Sequence, residues 1–168
     1  MSTSLQATKE KFAYDELVDY YKHVDAPRHP DAIRLLDYWH SCIAEHGDFI
    51  VGRDMPARPI ANLLRNVVVY EPFPDASDLR VRLAGDGTRR TFQVELKGTL
   101  LSEQFGGKDF EHHRAVSFEV IGSKRPMTIE SSLRRGNVEE LHSEIVLLPV
   151  TAQDRKTLLL IVGMFFFG

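Results

Sequence analysis

Apolar positions recur along this chain at distinct spacings, and each spacing predicts a different element. Between residues 11 and 24, Ala13, Leu17, Tyr20, Tyr21 and Val24 follow intervals of three and four, with Asp15, Asp19 and Lys22 on other faces. That period predicts an amphipathic helix. Pro27 and Pro30 end it, because the residue before a proline is pushed out of helical geometry. Asp31 is placed to cap a second helix, whose stripe Ile33, Leu35, Leu36, Trp39 and Ile43 runs to a stop at Gly47. Gly52, Pro56 and Pro59 break the next stretch, and a helical turn over residues 60–65 leads into the first strand.

Strand-like patterns then dominate. Val67-Val68-Val69-Tyr70 is a short apolar run closed by Pro72 and Pro74, and Leu79-Arg80-Val81-Arg82-Leu83-Ala84 alternates strictly, as a half-buried strand does. From Gly85 to Gly122 the pattern is helical and broken at Gly98 and Gly106-Gly107, its longest helix covering residues 108–121. Three more strands are predicted over residues 127–134, 141–150 and 158–167, with turns at Gly136-Asn137 and Asp154-Arg155. The last is apolar on both faces: Leu158, Leu160, Val162, Met164 and Phe166 on one, Leu159, Ile161, Phe165 and Phe167 on the other. Such a strand belongs at the centre of a sheet covered on both sides. The helical block supplies one cover; the N-terminal helices, a partner chain or both supply the other. The expected fold is α+β, with five antiparallel strands and short helices inserted after the second.

Composition narrows the function more than it names one. The 168 residues suit one domain with an extension, taken as a helical extension over 1–30 and a domain over 31–168. Lys and Arg number 21 against 24 Asp and Glu, a net charge of −3 that argues against a nucleic-acid partner. The only cysteine, Cys42, excludes an intrachain disulfide, and the start MSTSLQATKE lacks the apolar core of a signal, so export is not expected. Both favour the cytoplasm. The apolar run at 158–167 is half the length that a helical membrane span needs, about 20 residues.

Catalytic patterns are missing. Ser117, Ser131 and Ser132 have no Gly-x-Ser-x-Gly setting, Gly85-Asp86-Gly87 lacks the Gly-Lys-Ser/Thr of a phosphate loop, and Glu71, Glu139 and Glu140 sit in turns or at strand ends. No enzyme is expected. His112 and His113 are helix neighbours that point about 100° apart and cannot share one metal, and their polar flank Glu111-His112-His113-Arg114 suits a rim. His40, Cys42 and His46 do not share a face, so no metal site is expected there. Apolar residues that can line a cavity are Phe92, Leu96, Phe105, Phe110, Phe118, Met127 and Ile129, with His113 added as an inward-facing candidate.

Five motifs in order carry a resemblance. They are Leu35-Leu36-Asp37-Tyr38-Trp39; Arg58-Pro59-Ile60 with Leu63-Leu64; Arg80-Val81-Arg82-Leu83-Ala84-Gly85; Phe92-Gln93-Val94-Glu95-Leu96-Lys97-Gly98; and Leu147-Leu148-Pro149 with Phe165-Phe166-Phe167. Over residues 31–168 the chain resembles PAS domains, in particular the short, mostly stand-alone bacterial PAS proteins of alphaproteobacterial type. Gln93 departs from that pattern, which has glycine there. The resemblance implies strand order 2-1-5-4-3 and a signalling role as a sensor or protein-interaction module. It also implies a small ligand, haem or flavin as what such a module can hold. No cofactor is the leading expectation, with haem on His113 as the alternative. A covalent flavin adduct would need a cysteine in residues 85–122, and none is there. A homodimer is expected, its interface built on Ala13, Leu17, Tyr20, Tyr21 and Val24, with a signalling protein or an unidentified small molecule as further partners.

Overall fold

Six strands form one antiparallel sheet: β1 (Val18–Val24), β2 (Val67–Pro72), β3 (Leu79–Ala84), β4 (Met127–Arg135), β5 (Glu139–Thr151) and β6 (Leu158–Phe166). The computed structural model describes residues 18–92, 94–135 and 139–168. The sheet order is β1-β4-β5-β6-β2-β3. Counted without β1, this is the expected 2-1-5-4-3 arrangement, with β6 hydrogen-bonded to β5 on one side and β2 on the other. Both faces of β6 are used. Leu160, Val162 and Met164 join an inner cluster with Val68, Tyr70, Ile129, Ile145 and Leu147, while Leu159, Ile161 and Phe165 join an outer one.

The outer face is covered from within the chain. Helix α1 (Pro30–His46) buries Ala32, Leu35, Trp39 and Cys42 against it. Trp39 donates its indole N–H to the Pro149 carbonyl at 3.0 Å, and Tyr38 donates its hydroxyl to the Asp54 carbonyl at 2.6 Å. Close approach depends on Gly163 of β6, where a Cβ would lie 2.7 Å from Leu35 Cδ2. The helix ends at Gly47, in the left-handed region as expected, but its N-cap is His29, whose Nδ1 accepts from the Asp31 amide at 3.1 Å. A 3-10 helix, Arg58–Asn66, adds Ile60 and Leu63 to this layer. On the inner face lie the short helices α2 (Thr88–Phe92) and α3 (Leu101–Gln104) and the longer α4 (Gly107–Ser123).

The N-terminal expectation is corrected. Residues 18–24 are strand, not helix, so the sheet has six strands among the described residues; residues 1–17 lie outside them. Val, Tyr and Tyr are good strand formers, and a seven-residue run satisfies helical spacing by coincidence. The open edge of β4 decides the outcome: Tyr21 pairs with Ser131 and His23 with Ile129. Because α1 covers the outer face, no partner chain is needed there.

The segment joining β1 to α1 is pinned to the sheet. Glu144 of β5 has no exposed surface, and its carboxylate accepts from the Arg28 amide at 2.8 and 2.9 Å and from the His29 amide at 2.8 Å. Arg28 also pairs with Glu130 at 2.6 Å. At the opposite edge, Val69 faces Leu83 and Tyr70 faces Val81, so a bulge interrupts the alternation of β3. It turns Leu83 away from the inner core and leaves it 44% exposed.

Candidate functional site

A space of about 50 Å³ lies between the inner face of the sheet and helices α2–α4. Apolar atoms make most of its wall. Strands β2, β5 and β6 supply Val68, Ile145, Leu147 and Val162, and the helical side supplies Phe92, Leu101 and Phe105. Phe92 and Phe105 meet edge to face, with ring centroids 6.4 Å apart. The element that presents Phe92 is closed by Gly98 at φ 84, a conformation that favours glycine.

Polar groups at the wall are mostly engaged with the protein. The Tyr70 hydroxyl donates to Gln104 Oε1 at 2.7 Å, and Gln104 Nε2 donates to Thr99 Oγ1 at 3.2 Å. Burial pushes the Tyr70 hydroxyl well above the usual phenol range, so it stays a donor. Thr88 donates to the Gly85 carbonyl at 2.6 Å. Asn66 and buried Ser117 complete the polar part.

His113 is strongly perturbed. Its ring packs on Phe105, centroids 4.2 Å apart, and meets the Tyr21 ring edge-on at 4.8 Å. Nε2 lies 2.8 Å from the Tyr21 hydroxyl. Burial, with His112 beside it, lowers the pKa of His113 to about 3. His112 stacks on the face of the Tyr21 ring at 4.2 Å, and its Nε2 is buried without a hydrogen-bond partner. Burial and His23 lower the His112 pKa as well, opposed by Asp109. The Tyr21 hydroxyl also reaches Asp109 Oδ1 at 3.4 Å, and burial, aided by Asp109, pushes this hydroxyl far above its ordinary range.

Of the residues expected at a cavity, Phe92, Phe105, His113 and Ile129 line it. Leu96 is buried in the same cluster, and Phe110, Phe118 and Met127 pack against that cluster without reaching the space. The rim placement of His113 is corrected: its polar flank faces solvent and β1, while the ring turns inward. Sequence reasoning missed Tyr70, Thr88, Ser117 and Asn66 as lining groups. Only the inner-face alternation of the strands could have flagged Tyr70, because Asn66 and Thr88 sit where no period applies. Among the expected interface residues, Ala13 and Leu17 lie outside the described residues, as does Gln93. Tyr20 sits in β1 opposite Ser132. The half-buried Tyr21 ring packs on His112 and His113 of α4.

The arrangement suits binding better than bond-making. Ser131 and Ser143 bond to each other at 3.2 Å across the β4–β5 ladder, and Ser132 meets His142 Nδ1 at 3.1 Å in the same way. Among the described residues no group of three or more histidine, cysteine or acidic side chains could hold a metal ion, and no helix is long and apolar enough to cross a membrane. Nε2 of His113, the nitrogen that a haem iron would take, is bonded to the Tyr21 hydroxyl, and the space beside it is about 50 Å³. A family model described as PAS domain matches residues 27–165. No curated protein matches the chain.

Proposed function

The chain belongs to the PAS-domain family, and from that premise we propose that it is a non-enzymatic regulatory module that senses a small molecule and acts through a protein contact. The observation that carries this reading is the apolar space against the central strands, walled by Val68, Ile145, Phe92 and Phe105 and bordered by His113. A ligand there touches β2, β5 and β6 at once, so a change in its occupancy reaches the whole sheet. The low volume and apolar wall favour a compact, weakly polar molecule over a large cofactor. The proposed setting is the cytoplasm, which suits a single, buried, free Cys42.

The proposed output is a homodimer or a signalling partner engaged by the N-terminal part of the chain, with Ala13 and Leu17 in the contact. Light scattering at tens of micromolar should find a dimer that Leu17→Glu converts to monomer; a wild-type monomer ends the dimer part of the reading. For the sensing part, the purified protein should show no Soret or flavin absorption, and native mass spectrometry should find a small organic molecule. A Soret band at stoichiometric intensity would replace this reading with a haem sensor.

A further inference from the structure

Two features meet at one side chain. His113 borders the cavity, and its Nε2 is bonded to the hydroxyl of Tyr21 in the edge strand β1. We propose that β1 is a displaceable latch: filling the cavity shifts His113, breaks its bond to Tyr21 and frees β1 from α4 and from the edge of β4. The inference rests on the reading of the cavity as a ligand site.

The volume requires a wall to move. A cavity of about 150 Å³ is what accepts benzene in a well-packed protein core, and this one is about 50 Å³. Val68, Ile145, Leu147 and Val162 lie on strands paired on both sides, which resist displacement. His113 instead rests against β1, a strand that among the described residues is paired on one side only. Cores of this density yield by switching between discrete packings, so a shift of the ring is felt by Tyr21.

The contact it would break is built to be reversible. Tyr21 is held by the imidazole of His112 over its face, by that of His113 edge-on, and by hydrogen bonds to His113 and Asp109, at the margin of the inner cluster. In the docked state Nε2 of His112 is buried without a partner, and undocking lets water reach it. The tautomer of His113 matters too. When Nε2 is bare it accepts from Tyr21; when Nε2 carries the proton, the tyrosine hydroxyl is left for Asp109. Movement also has a natural limit. The amides of Arg28 and His29 are fixed by Glu144, so β1 can leave through residues 25–27 while α1 stays on the sheet.

Hydrogen exchange with benzene as the probe tests this in the full chain. Benzene at saturation should speed exchange of the Lys22 and Val24 amides about fivefold, the factor that one neutral hydrogen bond supplies, while amides of α1 are unchanged. Linkage requires the reciprocal effect: Tyr21→Phe should raise benzene affinity by a similar factor. If benzene shifts the methyl resonances of Val68 and Ile129 while β1 exchange stays as it was, the latch is refuted and the cavity reading survives. Unchanged affinity in a folded Tyr21→Phe protein refutes it equally. Benzene that binds neither protein overturns the cavity reading and the latch with it. The wild-type comparison stands alone should the variant fail to fold.

Discussion

Replacing Glu144 by alanine should destabilise the protein by about 3 kcal/mol, and replacing it by glutamine by only about 1 kcal/mol. The carboxylate has no exposed surface and accepts three contacts from two backbone amides, those of Arg28 and His29. Alanine leaves both donors without a partner inside the protein, at about 1–3 kcal/mol each. Removing a buried charge returns part of its desolvation cost, which brings the net toward the lower half of that sum. Glutamine can keep its amide oxygen in the Oε1 position, which serves both amides, and loses the charge and the third contact. The measurement is the urea midpoint of each variant at neutral pH, with an unchanged slope as the sign that only stability has moved. Exchange at the amides of Ile33 to Leu35 should rise in the alanine variant, because the same pin sets the His29 cap of α1. Glutamine as damaging as alanine would refute the hydrogen-bond account. A loss below about 1 kcal/mol for alanine would refute the pin altogether.

Gly98→Val should cost more than about 1 kcal/mol, because a β-branched residue is strained at φ 84; an unchanged melting temperature would contradict the backbone described there. Leu160→Ala, at a position with no exposed surface in the central strand, should cost about 2–5 kcal/mol in the same denaturation assay; a cost under 1 kcal/mol would contradict its central place. His113 stays neutral in the folded chain down to about pH 3, against 6.5 when unfolded. As pH falls the unfolded chain takes up this proton first, so stability held above pH 6.5 should drop by about 2 kcal/mol by pH 5. His113→Gln should flatten that part of the curve, and an equal slope in the variant would remove His113 as its cause.

Periodicity carried the centre of the molecule and failed at its edges, for physical reasons. The two apolar faces of residues 158–166 can be satisfied only in mid-sheet, so β6 and its neighbours were legible. The stripe of α1 was legible in part: Leu35 and Trp39 are buried as expected, but Ala32 and Cys42 complete the buried face and Ile33 is exposed. β1 was not. Seven residues fit both periods, and the choice between them is made by the edge of β4, over 100 residues further along the chain. Missing β1 also hid the inward turn of His113, since the partner that buries its ring is Tyr21. The outward turn of Leu83 depends on a bulge, which no alternation can announce. Cavity residues on strands could be read as a face; Asn66 and Thr88 border the space from the end of the 3-10 helix and the start of α2, where no period applies.

The place of β6 in the chain sets a timetable for synthesis. The β2–β3 hairpin is joined to the β1-β4-β5 group only through β6, which is translated about 70 residues after β3 ends. At roughly 5–20 residues per second that is several seconds or more. During this interval the β2 edge that will receive β6 offers unpaired amides and carbonyls on a buried-type apolar strand, the template on which foreign strands aggregate. Nascent chains of this protein should therefore be most dependent on chaperones after residue 84 has emerged and before residue 166 has, and should become independent of them abruptly once β6 closes the gap.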